Sequence, residues 1–123
     1  MNEINGHIHY KDEDYPLAFT INVMEEIQEE YGSFDEWGEL TSGEKGEVNA
    51  KAVKFGVMAM INEGIDIENE TREEKRPFVT SKQVGRILTE HGLRQSAQTM
   101  QDTVIKSVQS AEKNASSTRK KAK

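Results

Sequence analysis

With 123 residues, 34% of them apolar and 31% charged, the chain is sized for one domain with a modest core under a heavily charged surface. It has no cysteine, which excludes disulfide staples and thiolate metal sites; it has no apolar run near the ~20 residues of a membrane-crossing helix; and its start, MNEINGHIHY, lacks the basic-then-apolar layout of a secretion signal. The net charge of −6 is uneven: Glu112 to Lys123 hold five basic residues and one acid, a net of +4, which leaves −10 on the rest, a field that disfavours non-specific nucleic-acid binding.

Ile4, Gly6, Ile8 and Tyr10 fall on one face of an extended segment, with His7 and His9 on the other. Lys11-Asp12-Glu13-Asp14 reads as a four-residue polar turn. Tyr15, Leu17, Phe19 and Ile21 then line one face of a second strand, so the segment predicts a β-hairpin. Pro16 sits near a strand start, where a missing N–H is tolerated. An isolated hairpin is marginal in water, so its apolar face must lie on helices or on a partner chain.

At Asn22 the apolar period changes from that of a strand to that of a helix. Asn22 is the predicted N-cap, and Glu25 completes a capping-box pattern. Val23, Met24, Ile27 and Tyr31 point inward, Glu25, Glu26, Glu29 and Glu30 outward, and Gly32 supplies the left-handed C-terminal residue. Ser33 and Glu36 repeat the cap signature ahead of a short helix carrying Phe34, Trp37 and Leu40. Thr41 and Glu44 predict a third start, for a helix running to about Glu63 and closed by Gly64. Val48, Ala52, Phe55, Ala59 and Met60 share one face of it, flanked by Val53, Val57 and Ile61; so broad an arc suits a central helix with several neighbours. Gly56 inside it costs about 1 kcal/mol against alanine, a cost that close helix approach would explain.

Residues 65–77 read as a charged connection. Thr80 and Gln83 open a helix with Val84, Ile87, Leu88 and His91 at helical spacing, stopped by Gly92. The last helix carries Leu93, Ala97, Met100, Val104, Val108 and Ala111 as an amphipathic stripe. Beyond Lys113 the chain lacks the apolar residues that offset ordering entropy. The predicted architecture is mainly α: four to five helices with an N-terminal β-hairpin, one domain over 1–112 and a disordered basic tail over 113–123.

Little of this carries chemistry. His7 and His9 could share a metal, but a third ligand would be needed, and the pair reads as an exposed strand face. His91 reads as a half-buried residue at a helix end. The carboxylates cluster in solvated runs, where nothing drives two pKa values apart. No nucleophile signature or phosphate-cradling glycine loop is present. The expectation is a non-enzymatic protein without catalytic, cofactor or metal residues. Residues 80–104 offer an alternative, a helix-turn-helix of a small prophage DNA-binding regulator that would read bases with Arg94, Gln95, Gln98 and Gln101.

Three segments carry a resemblance: Tyr15-x-Leu17-x-Phe19-x-Ile21-Asn22, the helix from Met24 to Gly32, and the long helix ending Met60-Ile61-Asn62-Glu63-Gly64. In these, and in the threonine-capped helix from Thr80 to Gly92, the chain resembles the tail assembly chaperones of long-tailed bacteriophages and prophages, the group that includes the lambda-type G protein. The likeness covers roughly residues 4 to 110. It implies a protein of the bacterial host cytoplasm that binds the tape measure protein and keeps it soluble for tail tube assembly. It also implies a longer product, made by ribosomal frameshifting, whose added domain recruits the tail tube protein. Membrane is not an expected partner, nucleic acid is disfavoured, and a homo-oligomer through the hairpin edge or an apolar helix face is left open. Met24, Met58, Met60 and Met100 are adaptable side chains suited to an imperfect partner. The expected partner-facing residues are Tyr31, Phe34, Trp37, Met58 and Met60, since a short helix seldom buries three aromatics.

Overall fold

The computed structural model describes residues 4–44 and 46–122, with side chains through Ala111. Its elements are β1 (Gly6–Tyr10), β2 (Glu13–Leu17), α1 (Ile21–Tyr31), α2 (Phe34–Ser42), α3 (Ala50–Asn69), α4 (Ser81–His91) and α5 (Leu93–Ala122). The fold is mainly helical, with five helices behind an antiparallel two-stranded hairpin. The expected disordered basic tail over 113–123 falls where side chains lie outside the described residues.

The hairpin is tighter than the sequence suggests. Tyr10 pairs with Glu13 and Ile8 with Tyr15, so the turn is Lys11-Asp12 alone rather than four residues. Lys11 takes φ 55°, the left-handed geometry that two-residue turns use to match strand twist. The apolar face, Ile8 and Leu17, is fully buried, with β2 lying on α3 and β1 on α5.

β2 ends at Leu17, not at Ile21. The Ala18 N–H donates to the Met60 carbonyl of α3 at 3.1 Å, which lifts the chain off the hairpin ladder. Phe19 stays buried, but Thr20, not Asn22, caps α1, its hydroxyl oxygen accepting from the Val23 N–H. The Thr20 hydroxyl and the Asn22 amide both donate to the Glu63 carboxylate on α3, the latter at 3.1 Å. One carboxylate on a neighbouring helix thus decides where α1 begins, and Ile21 is left more than half exposed.

The start of α2 follows its local signature: Gly32 has φ 86°, and the Ser33 hydroxyl accepts from the Glu36 N–H at 3.1 Å. Thr41 does not open α3. It lies buried in the last turn of α2, donating to the Trp37 carbonyl at 3.0 Å. Asn49 caps α3 instead, accepting from the Ala52 N–H at 2.9 Å. Nor does Gly64 close α3, which continues to Asn69. Gly64 is a packing glycine: a Cβ there would stand 2.9 Å from the ring and carbonyl oxygen of Pro16 on β2. Gly56 marks the close approach proposed for it, facing the Trp37 ring and the Met100 sulfur. α3 is the central helix, touching β2 and all four other helices.

The charged connection is held by side chains acting as backbone partners. Asn62 and the Val79 main chain exchange two hydrogen bonds, at 2.8 and 3.2 Å, and Asn69 does the same with Arg76. The Arg76 guanidinium lies 4.6 Å over the Tyr15 ring and donates to the Asp14 carbonyl and the Glu13 carboxylate, pinning the connection to the hairpin. α4 begins with the expected Thr80–Gln83 capping box. α5 buries Ala97, Met100 and Val104 together with Ser96, Thr103 and Ser107, and leaves Ile105 and Val108 exposed.

Candidate partner-binding surface

The aromatic residues form a chain leading inward. Phe34 packs between Phe19 (5.6 Å between ring centroids) and Trp37 (5.4 Å), and Tyr31 meets Phe55 edge-on at 5.5 Å. Trp37 is fully buried, and its Nε1–H donates to the Ala52 carbonyl at 3.0 Å. Met60 is equally covered. Neither is a surface residue, which corrects the expectation that both face a partner. The short helix hides its central aromatic because Gly56 opens a slot for the indole on α3. Tyr31, Phe34 and Met58 are half-buried against the core. Burial, and then the Glu30 carboxylate, raise the pKa of the Tyr31 hydroxyl.

The open apolar surface lies elsewhere. Ile21, Phe78 and Ile105 are more than half exposed, and Leu40 and Val108 somewhat over a third. Leu40 borders a cleft of about 740 Å³ whose floor combines Leu40 of α2, Val48, Ala50 of α3 and Leu93 of α5. Its rim carries Glu36, Glu39 and Glu47. A second cleft of about 370 Å³ shares Ala50 and Leu93 and continues to Leu88 and Gly85, with Lys54 at its side. Ala50 and Leu93 line both, so the two clefts adjoin where four helices meet, the first with carboxylates among its lining and the second mainly apolar. Periodicity could not reveal them. Leu40 and Leu93 each read as one member of a buried stripe, and only the meeting of α2, α3 and α5 leaves them at an opening.

His7 and His9 both approach the Asp14 carboxylate, at 3.7 and 3.5 Å, on the exposed side of the hairpin. Among the described residues no group of three or more His, Cys, Asp or Glu is placed to hold a metal ion. α4 and α5 meet at the single residue Gly92, where a helix-turn-helix uses three to four. Arg94, Gln95 and Gln98 are exposed, whereas Gln101 donates to the Thr41 hydroxyl at 2.6 Å and ties α5 to α2. No helix of the described residues is long and apolar enough to cross a membrane.

The outer face of α1 is a separate acidic surface. Partial burial, followed by the carboxylates of Glu63, Glu29 and Glu25, raises the pKa of Glu26 above its ordinary 4.5. A carboxyl whose folded pKa is raised binds its proton more readily when folded, so it costs stability above that pKa. The cost fades as pH falls through the folded value and vanishes below the unfolded one. Glu26→Gln should therefore stabilise the protein near neutral pH, by no more than about 0.5 kcal/mol because solvent screens the charge of this exposed side chain. Thermal melts of both proteins should converge below pH 4.5; a gap that is constant with pH would contradict the assignment.

Compared with known protein families, curated proteins and solved structures, the chain matches none.

Proposed function

We propose that this chain is a non-enzymatic tail assembly chaperone of a long-tailed phage or prophage, working in the cytoplasm of the bacterial host. It binds the tape measure protein and keeps it soluble until tube protein polymerises around it. The observation that carries this reading is the pair of adjoining clefts in which Leu40, Val48, Leu88 and Leu93 meet the surface of a chain of net charge −6. A tape measure protein is long, helical and amphipathic, and alone it exposes an apolar stripe. A holdase must offer apolar grooves to such a stripe while its own charge keeps copies apart. Half-buried Met58 and Met24 beside the core provide side chains that can re-pack around an imperfect client. The tail tube protein joins through a frameshifted longer product.

The test is co-expression with the tape measure gene neighbouring this one. The soluble fraction of the tape measure protein should rise several-fold when this chain is present, and the two should co-elute. Equal solubility with and without it would end the proposal.

A further inference from the structure

We infer that the cleft between Leu40 and Leu93 receives an amphipathic helix whose apolar stripe is flanked by lysine or arginine. The inference rests on the chaperone reading and adds to it where the client sits and what charge the client carries.

Shape points to a helix. The walls come from α2, the start of α3 and the start of α5, none of which offers a sheet edge to a strand. Leu40, Val48, Ala50 and Leu93 line the cleft, and Ala50 and Leu93 also line the adjoining cleft of Leu88, so the apolar face of a helix has several apolar side chains to meet. Leu40 is over a third exposed, while Trp37 and Thr41 of the same helix are buried. Charge points to a basic flank. Glu36 and Glu47 stand on opposite sides of Leu40 in sequence, both exposed, and line the same cleft. Among the described residues no lysine or arginine lines this cleft itself; Lys54 lines the adjoining cleft of Leu88, and Arg94 the one on the other side of Val48. A helix with acidic flanks would set carboxylate against carboxylate, whereas lysines there gain partners and faster encounter. The basic end of this chain is a poorer occupant, because Asn114 to Lys123 contain no large apolar residue to fill the floor.

The test uses the full chain and two fluorescent synthetic helices of leucine and alanine, one with lysine flanks and one with glutamate flanks. Anisotropy should show the lysine helix binding about tenfold or more tighter than the glutamate helix, with affinity falling as salt rises. Glu36→Lys with Glu47→Lys should weaken the lysine helix by about tenfold. Glu25→Lys with Glu29→Lys makes the same change in net charge on the remote α1 face and should leave affinity within about twofold. Circular dichroism melts check folding, and a Glu36→Gln, Glu47→Gln pair serves if the lysines unfold α2. Equal binding of the two helices, binding of neither, or equal losses at the two faces would overturn the inference. Cleft variants that still solubilise the tape measure protein fully would overturn the cleft and leave the chaperone reading standing. An unsubstituted chain that fails to solubilise it would overturn that reading instead.

Discussion

Trp37→Ala is expected to cost about 3–5 kcal/mol, in the range of large-to-small changes at buried aromatics. A domain of this kind has only about 5–15 kcal/mol in total, so the variant should melt far below the parent or be partly unfolded at 37 °C. The indole is fully buried, touches Phe34, and fills the slot that Gly56 leaves on α3. Removing it opens a cavity where α2 meets the central helix, and the main-chain helices on either side cannot collapse into it. It also removes the hydrogen bond from Nε1 to the Ala52 carbonyl. Trp37→Phe separates the two effects: it keeps most of the ring and forfeits the hydrogen bond, worth about 0.5–1.5 kcal/mol, together with a smaller void. Urea denaturation of the three proteins measures both. A loss under about 1 kcal/mol for Trp37→Ala would show that α2 is not anchored through this side chain.

Gly56→Ala should destabilise by about 1–3 kcal/mol, although helix propensity alone favours alanine by about 1 kcal/mol. A Cβ at that position would lie 2.5 Å from Trp37 Cζ2 and 2.7 Å from Met100 Sδ. The methionine can swing aside. The indole cannot, because Phe34 and the bond to Ala52 hold it. Gly38, inside α2, is the control: a Cβ there meets nothing within 4 Å, so Gly38→Ala should stabilise by up to about 1 kcal/mol. Two glycine-to-alanine changes in helices of one protein are thus expected to have opposite signs. Made in the Trp37→Ala background, Gly56→Ala should lose most of its penalty, since the group it strikes is gone. Equal effects in both backgrounds would place the clash elsewhere.

Some boundaries were legible because their determinants are local. Gly32 with a positive φ, Ser33 accepting from the Glu36 N–H, and the Thr80–Gln83 box each close a backbone bond within three or four residues, whatever the rest of the chain does. Others were not, because the deciding partner is remote. Asn22 and Thr20 are both competent caps by residue type, and Glu63 on another helix, together with the Ala18–Met60 bond, selects Thr20. Gly64 looks like a helix stop until Pro16 is placed against it, and then its bare Cα is a contact surface in a helix that continues to Asn69.

The candidate site follows the same division. The amphipathic stripes named its side chains as core, and patterning cannot distinguish a position covered by a neighbour from one at the edge where neighbours part. Trp37 was expected outside because α2 is short, and it went inside because α3 offers Gly56 beneath it. Leu40, three residues on and of the same hydrophobic class, was left at an opening with Leu93. By itself the sequence determined that there are helices behind a hairpin, the acidic charge, and the Ser33 and Thr80 caps, since these depend on near neighbours and on composition. Only the tertiary structure decided which apolar residues stay uncovered, because burial is a property of what packs against a side chain and not of the side chain.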